Sequence, residues 1–350
     1  MFKPQVSVIM AVWNSQKYLR DSIDSILNQS LSDFELIIID DASTDSSLEI
    51  CKSYTDKRIR VLENTQNSGP ARSRNQAIQV AQSDLIAILD SDDIAQKDRL
   101  KMQVSFLKNH PDIYCIGSNY DTIDEFGNSY ATSNYPTSQV WLQWIMLYRN
   151  VLAHSSAMFR KPTNRKNIYN ESFKYYAIED YVLWCQLLNE GKFFQLLPDH
   201  LIQRRLHANN ISNQPIKKIS ESTFEIIKSN LELLMGETIS KSTLEMFLYP
   251  YQQKNTFSGK DAIAFLYTAL ECFSNKYNPS TKDKNLILSE VANDAHQIVS
   301  ATNQYYSDAA QHIIKAGIKS KNFLLPAKSL FNLYGMKLKR EINRAFAKTD

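Results

Sequence analysis

The chain has 350 residues, 43% hydrophobic and 22% charged, with a formal net charge of +3. That length can bury a sizeable core, in one large domain with an appendage or in two domains. So mild a charge gives no sign of a nucleic-acid or membrane partner, and no apolar run approaches the ~18 residues of a membrane span.

Val6 to Val12 is a short β-rich apolar run. It starts almost at once, which leaves no room for a signal peptide, so a cytoplasmic or peripheral membrane location is expected. Asn14 or Ser15 can cap the next helix, in which Leu19, Ile23, Ile26 and Leu27 recur at helical spacing. Phe34 to Ile39 is a second strand, and a helix starts near Ser46. Strand Ile59 to Leu62 follows, then a helix opened by Gly69-Pro70 with Ala71, Ile78 and Ala81 toward the core. Leu85 to Leu89 is the fourth strand. Nearly continuous apolar runs alternating with helices predict βαβ units and a mostly parallel sheet buried on both faces.

The pattern then changes. Lys97 to Asn109 reads as a helix, and Tyr114 to Ile123 with Ser129 to Thr132 as a hairpin turning at Asp124 to Asn128. Ser138 to Arg149 reads as an aromatic-rich helix carrying Trp141, Trp144 and Tyr148. These rings either stack a ligand or pack on the core. His154 to Phe159 is expected as a strand. Glu179 to Glu190 is expected as a helix closed by Gly191. Phe193 to Leu197 and Leu201 to Leu206 read as two more strands. Beyond Asn213 the strand signal fades into helices. The cysteines, Cys51, Cys115, Cys185 and Cys272, form no C-x-x-C pair, which argues against a zinc knuckle and for buried free thiols. Residues 319–350 carry eight Lys or Arg against two Asp or Glu. Phe331, Tyr334, Leu338, Ile342 and Phe346 recur there at helical spacing, making a basic amphipathic helix.

Ligands of open α/β sheets bind beyond the carboxyl ends of the strands. Asp40-Asp41 and Asp90-Ser91-Asp92-Asp93 both end strands, so they share one crevice although fifty residues apart. Alternate carboxylates after a strand can hold a hard divalent cation that keeps waters and shares a phosphate. The competing reading is a helix cap, most of all for Asp93. Asp40-Asp41 can accept a base N–H or form an Asx-turn with Ser43. Glu179-Asp180 can supply a general base, or simply suit a helix N-terminus. His207, with Arg204 and Arg205, can reach a diphosphate or metal, and Arg72 and Arg74 can point to phosphate or base. No dinucleotide glycine motif, P-loop or nucleophile elbow is present.

Taken in order, these segments resemble glycosyltransferase family 2, with the GT-A fold. The resemblance runs through Val6 to Asn14, Ser25 to Ser30, Phe34 to Asp45, Asn67 to Asn75, Asp90 to Asp93, Ile178 to Trp184 and Arg205-Leu206-His207. It covers residues 5 to 212 and departs from the family pattern at Trp13, Ala42 and Ser73, and in the lack of a proline at His154-Ser155-Ser156. It implies a Rossmann-like, mostly parallel sheet flanked by helices in residues 1–212, with a helical region in 213–350. It also implies an inverting transfer from a nucleotide sugar, with a UDP-sugar expected, to a glycan or lipid-linked saccharide in surface polysaccharide synthesis. By this resemblance Asp180 is the base. Val12, Asn14, Asp41, Arg74, Asp90, Ser91, Asp92, Glu179 and Arg205 hold the donor. Asp92, His207 and Asp90 hold Mn²⁺ or Mg²⁺. Nucleic acid is not an expected partner; the basic helix of 320–350 either touches an anionic membrane, or docks onto the other C-terminal helices or into a homodimer. The alternative is a nucleotide-binding scaffold that has lost catalysis, against which the intact Asp90, Asp92 and Asp180 argue.

Overall fold

The computed structural model describes residues 3–208, 210, 216–248 and 259–302. The basic stretch 319–350 lies outside them. The chain divides into two compact units, Met1–Ile226 and Ile227–Asp350.

The first unit is built on one sheet. Its strands are β1 (Val6–Val12), β2 (Phe34–Asp40), β3 (Ile59–Glu63), β4 (Leu85–Ile88), β5 (Ile94–Ala95), β6 (Ile113–Ile123), β7 (Ser129–Thr132), β8 (Met158–Arg160) and β9 (Phe193–Arg205). The order is β3-β2-β1-β4-β8-β6-β9-β5, with β7 paired to β6 outside this path. The first four strands are parallel, β8 runs antiparallel to β4 and β6, and β9 runs parallel to β6. The helices are α1 (Leu19–Leu27), α2 (Ser47–Lys52), α3 (Pro70–Val80), α4 (Arg99–Asn109), α5 (Gln139–Ile145), α6 (Glu179–Asn189) and α7 (Ile216–Met235), which crosses into the second unit.

Continuous apolar sequence makes this sheet a buried one. Val8, Ile9, Leu36, Ile37, Ile38, Ile86 and Ile88 are fully buried, as strands covered on both faces require. Helix α1 seals one face with Leu19, Ile23 and Ile26. Register positions the functional edge, because Val12 pairs with Asp40 and Ile9 with Ile88. Residues 13–14, 41 and 90–92 therefore leave the sheet along one rim.

Several expectations are corrected. Helix α1 begins at Leu19, and neither Asn14 nor Ser15 caps it. Asn14 instead takes a left-handed conformation, φ 49°, and its Oδ1 accepts from the Thr44 amide at 2.8 Å. The segment from His154 opens as a 3-10 turn, His154–Ser156, before the short β8. Ser156 Oγ donates to the Ala153 carbonyl at 2.7 Å, a side-chain bond that competes with strand pairing. The two strands expected around residue 199 are one. β9 absorbs Pro198 in a register shift between Ser118↔Leu197 and Asn119↔His200, since proline offers no donor to a ladder. Trp141, Trp144 and Tyr148 are buried to 1%, 0% and 7% exposure, so they pack the core and leave no ring for stacking a sugar. Asp93 caps no helix, because β5 intervenes and α4 starts at Arg99.

In the second unit α8 (Lys241–Leu248), α9 (Gly259–Tyr277) and α10 (Thr281–Thr302) bury Leu244, Leu266, Phe273 and Val291. Among the described residues no helix is long and apolar enough to cross a membrane. All four cysteines are free, Cys272 half-buried and the other three buried.

Candidate active site

A cleft of about 970 Å³ opens along the carboxyl rim of the sheet. Its lining includes Val12, Asn14, Asp41, Arg74, Asp90, Ser91, Asp92, Glu179, Asp180, Arg205 and His207. The residues singled out in the sequence thus converge on one cavity.

At the β1–β2 end, the two aspartates divide the work. Asp40 Oδ2 accepts from the Ser43 amide at 3.0 Å, which is the Asx-turn. Asp41 Oδ1 accepts from Asn64 Nδ2 at 2.7 Å and the Ser68 amide at 3.0 Å, and Oδ2 from the Gly69 amide at 2.8 Å. Asp41 therefore fastens the loop before α3, and Gly69 reaches it at φ 84°, where a side chain is strained. Ala42 is also left-handed, at φ 57°, so the residue that departs from the family's glycine carries a strain that glycine would not. The Val12 carbonyl accepts from the Asp41 amide at 2.8 Å. Ser91 Oγ and Ser15 Oγ lie 2.7 Å apart, bridging the ends of β1 and β4.

At the centre, Arg74 bonds Asp90 Oδ1 at 2.8 Å and Glu179 Oε1 at 2.6 Å. Arg72, two residues earlier, is exposed. Burial alone would raise the Asp90 carboxyl. Arg74 and His154 outweigh it and hold the group well below the usual carboxylate range. The other oxygen, Oδ2, accepts from Ser155 Oγ at 3.2 Å. Asp90 is thus held on both sides by protein. Among the described residues Glu179 Oε2 is buried without a hydrogen-bond partner, so this end of the network is not saturated by them.

Asp92 and His207 form a separate pair. His207 Nε2 lies 3.0 Å from Asp92 Oδ2, and Asn210 Nδ2 donates to the same oxygen at 3.1 Å. Asp93 turns inward, accepting from the Arg205 amide at 2.8 Å. Burial, with Asp92 and Asp90 as negative neighbours, pushes its carboxyl well up. Among the described residues no group of three or more His, Cys, Asp or Glu converges as a complete metal cage.

Asp180 sits one residue into α6. Its Oδ2 accepts from Asn150 Nδ2 at 3.0 Å, and its Oδ1 from the Tyr181 amide at 2.7 Å. Burial pushes this carboxyl up, against the opposing pull of His154.

Arg205 lies along the cleft but does not offer its charge there. It is 3% exposed. Its guanidinium bonds the Asp92 carbonyl at 3.0 Å, the Asp124 and Glu125 carbonyls at 3.4 Å and Asp21 at 3.2 Å, and stacks over Tyr18. It locks three segments together. Sequence reasoning missed Asn150, Ser155, Asn64 and Asn210. Each is a polar loop residue whose importance rests on a partner 23 to 118 positions away. The run of Asn209-Asn210 after His207 was the one local signal.

The fold is a mostly parallel α/β sheet with a rim of acidic residues along its carboxyl edge. The family described as Glycosyl transferase family 2 matches residues 7–175. An uncharacterized glycosyltransferase of Methanocaldococcus jannaschii is 33% identical over 66% of this chain and 80% of its own length. The O-antigen biosynthesis glycosyltransferase WbnJ of Escherichia coli is 33% identical over 69% and 92%. The UDP-Glc:alpha-D-GlcNAc-diphosphoundecaprenol beta-1,3-glucosyltransferase WfaP, also of E. coli, is 29% identical over 73% and 97%. Among solved structures, S. aureus TarS 1–349 in complex with UDP-GlcNAc superposes with a TM-score of 0.55 at 18% identity, covering 91% of this chain and 88% of that one. The chain belongs to glycosyltransferase family 2, and it is a glycosyltransferase with the GT-A fold.

Proposed function

We propose that this glycosyltransferase inverts its donor, uses a divalent cation and moves a sugar from a UDP-sugar to a hydroxyl of a glycan or lipid-linked saccharide. The observation that carries the reading is Asp180. It is a half-buried carboxylate on the cleft wall, oriented by Asn150 and lifted toward the range of a working base. Asp180 takes the proton of the acceptor hydroxyl as that oxygen bonds to the anomeric carbon, and the bond from that carbon to the diphosphate breaks. The names of WfaP and WbnJ support a saccharide acceptor in surface-polysaccharide synthesis.

On the donor side, Trp13 is 48% exposed on the rim and offers a flat face to a base. Asp41 Oδ2, bonded among the described residues by the Gly69 amide alone, keeps a lone pair for a uracil N–H. Asp92 and His207 suit two positions of a cation that keeps waters and shares a phosphate. Mn²⁺ or Mg²⁺, when bound, neutralises charge on the departing diphosphate. Asp90 has both oxygens engaged by Arg74 and Ser155, so here it positions rather than ligates.

Two measurements test this. Asp180→Asn is expected to bind UDP as the wild type does and to lose about 10²–10⁴-fold in UDP release from a UDP-sugar with acceptor. Near wild-type turnover would remove Asp180 as the base. Titration calorimetry of UDP with and without Mn²⁺ should show cation-dependent binding that Asp92→Ala abolishes. Equal binding by the two proteins would show that Asp92 holds no metal.

A further inference from the structure

The 3-10 turn His154–Ser156 brings two side chains to the carboxyl end of β4. Ser155 Oγ donates to Asp90 Oδ2, and His154 Nδ1 lies 3.5 Å from Asp90 Oδ1. On the far side of the imidazole, Nε2 lies 2.8 Å from the Tyr169 hydroxyl, and the two rings meet edge-on with centroids 5.7 Å apart. His154 lines the cleft and Tyr169 does not; Tyr169 is 2% exposed. Helix α3 closes the circuit through two consecutive residues. Asn75 Nδ2 donates to the Tyr169 carbonyl and Asn75 Oδ1 accepts from the Tyr169 amide, each at 2.9 Å. Arg74 bonds Asp90 and Glu179.

The partners of the ring decide where its proton sits. Asp90 stays ionised despite its burial, because Arg74 sits against it. An ionised carboxylate only accepts, so the ring nitrogen facing it, Nδ1, carries the hydrogen. In the neutral ring Nε2 then accepts, and the Tyr169 hydroxyl donates. Burial pushes the Tyr169 phenol well up, so it keeps that hydrogen. The 3.5 Å to Asp90 is longer than a hydrogen bond. His154 therefore acts on Asp90 by facing it with a polar N–H and by filling the space beside Oδ1.

We infer that His154, oriented by Tyr169, is a positioning residue for sugar transfer: the pair sets the Asp90 carboxylate and, through Arg74, the Glu179 that precedes Asp180. This rests on the proposed transfer reaction and adds to it a support standing behind the cleft wall.

The test measures UDP release by the full chain from a panel of UDP-sugars with Mn²⁺, water serving as acceptor. Tyr169→Phe removes one hydroxyl outside the cleft and is expected to lower kcat about tenfold with donor KM unchanged. His154→Asn keeps an amide nitrogen at the place of Nδ1, and His154→Gln at that of Nε2. The Asn variant is therefore expected to be several-fold the more active. A histidine that only packs would lose stability alike in both and show no such order. In NMR of ¹⁵N-histidine-labelled protein, which needs no substrate, the wild-type ring is expected to be protonated at Nδ1. A bare Nδ1, an unchanged kcat in Tyr169→Phe, a raised KM alone, or equal activity of the Asn and Gln variants overturns the inference. If Asp180→Asn turns over like wild type while these effects persist, the base reading fails and the hold on Asp90 stands. If wild type releases UDP from none of the sugars, the transfer reading fails and takes the inference with it.

Discussion

Asp180 and Asp90 are both carboxylates on the cleft wall, yet their surroundings drive them in opposite directions. Asp180 is raised, chiefly by burial. A base must be ionised, so transfer should rise with pH through a value above the ordinary aspartate range, and a pH–kcat/KM profile would show this acid limb. Asn150→Ala removes a bond to the ionised form and should move the limb further up. An unmoved limb would mean that Asn150 does not act through Asp180. Asp90 is depressed, so its contribution to stability is present above its unfolded pKa and is lost only as pH falls through the depressed folded value. Arg74, 8% exposed at its side chain, holds two carboxylates. Removing one partner of a buried pair costs about 3–5 kcal/mol, and Arg74→Met should show a loss of that order in urea denaturation. The residue types at the rim were legible in the sequence, because each follows its strand directly. Their division of labour was not, since Arg74 meets Glu179 across 105 positions.

Elements were legible where one signal dominated. The apolar runs of β1, β2 and β4 and the periodicity of α1 fell where expected, and Ser138 caps α5 through the Trp141 amide at 3.0 Å. Misreadings came where a local polar bond or a tolerated proline overrode the pattern, at His154–Ser156 and across Pro198. The aromatic helix is the case with functional weight. Trp144 is fully buried, edge-on to Tyr148 with centroids 5.8 Å apart. Trp144→Ala should therefore cost about 3–5 kcal/mol of stability. In whatever fraction folds, the KM for acceptor should be unchanged. A raised KM at intact stability would return the ring to the substrate.

At the scale of the whole molecule, every residue assigned to donor or base lies in the first unit, between Val12 and His207. A ligand stabilises what it binds. In scanning calorimetry, UDP with Mn²⁺ should raise the transition of the first unit and leave that of the second in place. A single transition shifting as one would show that the two units unfold together. The helical character of the second unit was legible from the loss of strand pattern, but nothing in its residues announced a chemistry. The hairpin of β6 and β7 has a further consequence. All four residues of β7 are exposed. Arg205 grips the turn through the main-chain carbonyls of Asp124 and Glu125, bonds that are indifferent to side-chain identity. Ser133 fixes the return strand at the Tyr120 amide, 2.8 Å away. For enzyme engineering, residues 126–132 are therefore a cassette, exchangeable while Arg205's hold on the turn and the Lys17–Glu125 pair stay in place.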